Sequence, residues 1–328
     1  MRDETRKRGT ALISALLVVT VMSAVAVEML GDMRAGIERS GNVGDRDRAY
    51  WYAMGARDYA DSLLARAMDD PETAMRPDAP WLSGPAHFPI EGGMITARLR
   101  DAQTCFNLNS LVAETEPGNF ETRPEVVERF DALLVMAGIP PGDASRIAAQ
   151  AADWIDSDSR PGAGGVEDNL LARADTPYLA ANTLIVETEE LRALPAMTPE
   201  IFAAISNLVC ALPQADDMPL NVNTLQLQQA MQLAALFPGR LSRLDAEAVL
   251  LRRPSGGYAR VEDFWADPVL AALEPEAGDL ARVTLVSRWF ETEIVVALGS
   301  ARYTLEARVE ADQAGTLNHH GQRFGALS

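Results

Sequence analysis

Eighteen consecutive residues, Thr10 to Val27, carry no charge. As a helix rising 1.5 Å per residue this run is about 27 Å long, close to the hydrocarbon thickness of a bilayer. No other segment limits so strongly what the chain can fold into. Ahead of it, Arg2, Arg6, Lys7 and Arg8 outnumber Asp3 and Glu4. By the positive-inside rule this basic flank stays in the cytoplasm, and everything after Val27 is expected on the other side. A cleaved secretory signal is the alternative, because "SAVAVEM" offers the small residues Ala24 and Ala26. However, the apolar run exceeds a signal core and no loop follows it. Met29, Met33 and Ile37 recur every four residues, and Tyr52, Ala56, Tyr59, Leu63 and Ala67 mark a second apolar stripe. The pattern predicts one helix over 10–70, with 10–30 in the membrane and Gly31, Gly36, Gly41 and Gly44 weakening or kinking it near the membrane exit.

Beyond Met68 the run "DDPETAMRPDAPWLSGP" stops the helix with four prolines and a glycine. "FPIEGGMITARLRDA" then reads as two strands about a Gly92-Gly93 turn, with Ile95, Ala97 and Leu99 on one face. Near the other end, "VTLVSRWFETEIVVAL", a Gly299-Ser300 turn and "RYTLEARVEAD" read as a second hairpin. One small α/β module over 71–110 and 281–312 is therefore expected, an antiparallel sheet against the long helix, with 313–328 as a flexible tail. Residues 111–280 read as short helices between Pro/Gly breaks, a large helical insertion.

That insertion contains a repeat. "CFNLNSL" (105–111) and "LNVNTL" (220–225) share apolar–Asn–apolar–Asn–Ser/Thr–Leu, and each is followed by two helical stretches about a Pro-Gly hairpin. Two units, about 107–215 and 221–270, follow from this, with Ser110 and Thr224 expected as helix N-caps. The units resemble helix-hairpin-helix or SAM-like modules. Arg240, Arg243, Arg252 and Arg253 flank the second hairpin, which keeps a DNA-binding or DNA-uptake reading open. The net charge of −18 opposes it, since so acidic a chain is repelled by nucleic acid. Protein packing is the expected use, with no nucleic acid as partner.

"DWIDSDSRPGAGGVED" (153–168) places Asp156, Asp158 and Glu167 at the first, third and twelfth positions of an EF-hand-like spacing. Arg160 and Pro161 occupy the fifth and sixth positions, so the segment is a carboxylate loop and not an EF-hand. A solvated polar loop is the alternative reading. Cys105 and Cys210 hold matching places in the two repeats. Outside the cytoplasm they are expected to form a bridge; two buried free thiols are the alternative. No catalytic fingerprint is present, and the three histidines, His87, His319 and His320, form no catalytic constellation. We expect no enzyme activity; a signal-anchored, calcium-dependent hydrolase is the enzymatic rival.

A short basic leader ending in Gly9, followed by the apolar helix, resembles type IV prepilins and type II secretion pseudopilins. Ser14 stands where most of those proteins carry glutamate, and the large helical insertion is present. With those two features, the chain is similar to the protein K family of minor pseudopilins. An ordinary type IV pilus minor pilin would normally keep the glutamate and lack the insertion. The resemblance implies an α+β pseudopilin fold with an inserted SAM-like/helix-hairpin-helix domain. It implies removal of residues 1–9 by prepilin peptidase, with methylation of Thr10. It further implies a single-pass inner-membrane protein with its C-terminal domain in the periplasm. Its partners would be minor pseudopilins I and J and the major pseudopilin filament, at whose tip it would sit. Last, it implies structural calcium at Asp156, Asp158, Glu167 and Asp168, with Asp153 and Asn182 as further candidates.

Overall fold

The computed structural model describes residues 2–312 and 315–325, with side chains from residue 15 onward. The processing residues Gly9 and Thr10, and Ser14, therefore lie outside the described side chains. One helix, α1, runs from Arg2 to Ala67. It is continuous through Gly31, Gly36, Gly41 and Gly44, with no break where the sequence predicts weakening. Within it, Ala15–Ala67 contains a window long and apolar enough to cross a membrane, and none of that window is buried in the protein. A short helix, α2 (Pro71–Ala74), follows, with Asp70 accepting the Thr73 amide at its start.

The chain then forms β1 (Ala86–Ile90) and β2 (Gly93–Asp101), joined through Gly92 at φ 77°. The insertion comes next. Its first unit comprises β3 (Phe106–Asn107), β4 (Val112–Glu116), β5 (Asn119–Thr122), α3 (Pro124–Met136), α4 (Pro141–Ile155), α5 (Asp168–Leu171), α6 (Pro199–Ile205) and β6 (Val209–Cys210). Its second comprises β7 (Leu220–Asn221), α7 (Ala230–Ala235), α8 (Arg243–Arg252), α9 (Val261–Trp265), α10 (Pro268–Ala271), α11 (Ala277–Leu280) and β8 (Val283–Thr284). Each unit has its own apolar core, one around Phe130, Leu133 and Ile147, the other around Phe237, Val249 and Phe264. Finally β9 (Trp289–Leu298), β10 (Ala301–Ala311) and β11 (Leu317–Gly325) complete a sheet of order β1-β2-β9-β10-β11, antiparallel throughout.

The two Asn motifs are built alike. Asn107 and Asn221 each accept the amide of the second asparagine, Asn109 or Asn223. That second asparagine then pairs with both backbone groups of one distant residue, Ile185 in the first unit and Tyr258 in the second. β3 pairs in parallel with β6, and β7 with β8. The N-cap expectation for Ser110 and Thr224 is corrected. Ser110 Oγ donates back to the Asn107 carbonyl, and Thr224 Oγ1 donates to the Asp101 carboxylate. Asn107 caps the short helical turn that follows it, while Asn221 closes a turn only, the next helical turn being capped by Gln226.

Alternation sets which face of the sheet meets α1. Ile95, Ile294, Val296, Leu305 and Ala307 pack on Ala49 and Ala53, while Phe290 and Val309 pack on Leu64 and Met75. The β9–β10 turn therefore lies low on α1, where Ser300 Oγ bonds Asn42 Oδ1 at 2.6 Å. Asp101 and Trp289, the points where the insertion leaves and rejoins the sheet, lie at the opposite end, beside the end of α1. The insertion thus projects from the end of the module farthest from the membrane-length segment. It is fastened there by the buried Asp101 carboxylate, which accepts hydrogen bonds from Thr224, Ser287 and the Gln103 amide.

The tail departs from expectation. Residues 317–325 form β11 along β10, from Ala311↔Leu317 to Thr304↔Gly325, with an irregularity at Arg308/Val309. Nearly all of its side chains are exposed, so it lacks the apolar alternation by which a strand is recognised. Side-chain contacts hold it instead: His319 lies 3.2 Å from Asp61, His320 3.1 Å from Glu310, and Arg323 3.3 Å from Glu187.

Candidate functional site

The acidic loop begins where α4 ends. Ile155 is the last helical residue, and Asp156 turns into extended backbone. Asp156, Asp158 and Glu167 each present a carboxylate oxygen, and these oxygens lie within 4.8 Å of one another. Asp156 and Glu167 are buried, at 5% and 1% exposure. Thr122 Oγ1 donates to Asp156 Oδ2 at 2.8 Å, fixing the loop to β5. The other Asp156 oxygen, Oδ1, and both Glu167 oxygens have no donor among the described residues. Asn182 Oδ1 is orphaned as well. Asn182 has a left-handed backbone, φ 47°, a conformation asparagine tolerates better than most residues, and its amide bonds the Trp154 carbonyl at 3.0 Å.

The electrostatics follow from this crowding. Burial, with the neighbouring Asp153, Asp156 and Asp158 charges, pushes the Glu167 carboxyl up to about 7. Burial pushes Asp153 up to about 6 against the pull of the Gly162 amide, and it also raises Asp156. Anionic oxygens clustered with no donor are costly unless a cation or a proton meets them. The donor set, all oxygen and mostly carboxylate, suits a hard cation.

The other candidates fall elsewhere. Asp168 Oδ1 accepts the Ala180 amide at 2.8 Å and is outside the cluster. Asp153 accepts the Gly162 amide at 3.2 and 3.1 Å, and is also outside it. Cys105 and Cys210 are joined in a disulfide that spans 105 residues and ties β3 to β6. The arginines at the second hairpin are engaged: Arg240 with Asp279, Arg243 with Glu247, Arg252 with Asp267, and Arg253 with the Val222 and Leu225 carbonyls.

Two surfaces remain. One is an apolar groove of about 810 Å³ between α1 and the β1–β2 edge, lined by Trp51, Tyr59, Leu63, Trp81 and Phe88 among others. Trp51 is 70% and Tyr59 54% exposed. The sequence signal for it was the second apolar stripe, only part of which faces the sheet. The other is a polar cleft of about 900 Å³ between the sheet's far face and the insertion, with Arg98, Arg100, Arg308 and Arg323 set against Glu187, Glu291 and Glu306.

A membrane-length helix laid on an antiparallel sheet, with a helical insertion at the far end, is the architecture of a minor pseudopilin of the type II secretion system. The family model of type II secretion system protein K matches residues 104–214 and 220–285. Type II secretion system protein K of Aeromonas hydrophila is 32% identical over 307 residues, covering 92% of each chain. That of Klebsiella pneumoniae is also 32% identical, over 98% of this chain and 95% of its own. A chain from the crystal structure of the GspK–GspI–GspJ complex of enterotoxigenic Escherichia coli superposes with a TM-score of 0.76 at 28% identity, covering 88% of this chain and 100% of that one. This chain belongs to the type II secretion system protein K family. Its relatives are named as secretion-system proteins and not as enzymes.

Proposed function

We propose that this chain caps the tip of a periplasmic pseudopilus together with minor pseudopilins I and J, supporting export of folded proteins across the outer membrane. The observation that carries the reading is the placement of the insertion. It leaves the module at Asp101 and returns at Trp289, the end farthest from the apolar part of α1. Bulk at that end leaves no room for a further subunit to stack above. The naming of I and J rests on the similar chain, whose structure is a complex with GspI and GspJ. The groove along α1 offers an apolar face of the kind a neighbouring helix covers. We read the two Asn-led units as SAM-like modules that serve protein packing. In the inner membrane, prepilin peptidase would cut between Gly9 and Thr10, methylate Thr10, and leave α1 to join the major pseudopilin filament. The test is the mature N-terminus by mass spectrometry, with and without the peptidase. A methylated chain beginning at Thr10 agrees with the reading; a cut near Ala26 discards the helix and ends it.

A second reading concerns the acidic loop, which we take to hold a structural calcium ion. Its support is the set of buried, unbonded oxygens on Asp156, Glu167 and Asn182. Asp156, Asp158 and Glu167 would be ligands, with Asn182 Oδ1 as a neutral fourth. When bound, the ion neutralises carboxylates that otherwise repel one another. Thr122 keeps Asp156 aimed inward. Isothermal calorimetry with calcium chloride tests it: no heat of binding for the intact chain would end this reading and leave the pseudopilin assignment standing.

A further inference from the structure

We infer that Asp153 is a positioning residue for the acidic loop and not one of its cation ligands; this rests on the calcium reading above. The distinction comes from position: Asp158, although its Oδ1 accepts the Arg160 amide at 2.6 Å, stands in the cluster of carboxylate oxygens, and Asp153 does not. Both Asp153 oxygens share the one Gly162 amide, at 3.2 and 3.1 Å. Asp156 Oδ1 and both Glu167 oxygens accept nothing. Asp153 lies in the last turn of α4 and is 4% exposed. The segment from Gly162 to Val166 is thus wrapped around a carboxylate peg supplied by the helix that precedes it. Wrapping sets the span between the two halves of the site. Asp156 and Asp158 start the loop, Glu167 ends it, and the peg folds the intervening residues so that their oxygens meet.

The glycines give a second, independent sign of the same packing. A Cβ on Gly165 would lie 1.9 Å from Asp153 Oδ2, a distance no real contact tolerates. A Cβ on Gly162 would lie 3.2 Å from Asp153 Oδ1, which a small shift relieves. A side chain at Gly165 therefore displaces either the peg or the loop, and one at Gly162 does so far less. The glycine-rich composition of "PGAGG" reflects close approach to Asp153 and not general looseness.

The test uses the full chain in detergent, wild type and the variants Asp153→Asn, Gly165→Ala and Gly162→Ala. Two quantities are measured: calcium affinity by calorimetry, and the number of waters on bound europium(III) from its luminescence lifetimes in H2O and D2O. In Asp153→Asn the amide NH2 faces backbone N–H groups, so the peg loses an acceptor with almost no change of shape. We expect calcium affinity to fall tenfold or more in Asp153→Asn and Gly165→Ala, and less than threefold in Gly162→Ala. The europium hydration number stays at the wild-type value in all three, because no ligand has been removed. An added water in Asp153→Asn makes Asp153 a ligand and overturns the inference. Unchanged affinity in both Asp153→Asn and Gly165→Ala overturns it too. If Gly165→Ala does not fold, the nearly isosteric Asp153→Asn decides alone. Failure of the wild type to bind calcium is a different result, and it removes the cation reading on which this one stands.

Discussion

Glu167 is the residue at which burial and charge conflict most openly. Its carboxyl is pushed up to about 7, well above that of an exposed glutamate, chiefly by burial and then by three neighbouring aspartates. The folded metal-free protein therefore holds a proton there more tightly than the unfolded chain does. The stability linked to that proton is fully present below the unfolded pKa, and it is lost as the pH rises towards about 7. We expect the metal-free melting temperature to fall between pH 4.5 and 7.5, and calcium to restore it at the upper end, where proton competition is weakest. Glu167→Gln should remove most of the pH-dependent loss and most of the calcium effect together. Thermal melts in chelator and in calcium, at pH 5 and pH 7.5, read both. A wild-type melting temperature that is flat across this range in chelator would contradict the account. The spacing of Asp156, Asp158 and Glu167 was legible in the sequence, because a loop of fixed length can bring its ends together. The separate role of Asp153 was not, because it depends on which backbone amides the loop turns inward.

At the scale of elements, the parts that were readable are those whose residues alternate or recur with apolar partners. The hairpin about Gly299-Ser300 falls where its turn residues place it, and the other turns one residue earlier than the sequence pattern places it, at Glu91-Gly92, with Gly93 already in β2. The paired Asn motifs were visible because each reproduces the same local bonding. β11 was hidden because almost every side chain in it points to water, and its hold on the fold comes from a ladder, a few polar contacts, Leu317 against the core, and Phe324 beside Tyr50 and Tyr303. It touches three parts of the molecule: α1 through Asp61, the sheet through Glu310, and the insertion through Glu187. Deleting 317–325 should expose the β10 edge and weaken the hold on the insertion. Amide exchange of residues 304–311 should speed up tenfold or more, with the core of α3 and α4 unchanged. Unaltered exchange in β10 would show that β11 carries no load. The disulfide acts on a larger element. It closes a loop with a sequence separation of 105 residues, so the chain-entropy model assigns it about 4–5 kcal/mol. Replacing Cys105 and Cys210 by serine should lower the unfolding free energy by several kcal/mol in denaturant titrations, with less change in the sheet's own melting.

At the scale of the whole molecule, the exposed surface is uneven in a way a monomer does not explain. α1 continues for some twenty residues beyond Val27 before the sheet meets it near Ala49. At 1.5 Å per residue that puts Trp51 about 36 Å above the apolar run, beyond the reach of bilayer interface aromatics. Trp51, Tyr59 and Phe88 still face an open apolar groove at that height, out of the bilayer's reach. Charges placed there should act on assembly without touching the acidic loop, which lies in the insertion. Trp51→Glu with Tyr59→Glu should weaken co-assembly with minor pseudopilins I and J at least tenfold in size-exclusion or affinity measurements. Both side chains are more than half exposed, so the cost to the fold of this chain is small. Calcium affinity of the double variant should match the wild type. Undiminished assembly would assign the groove to some other contact, and loss of calcium binding would show that the variant is misfolded and not merely unpartnered.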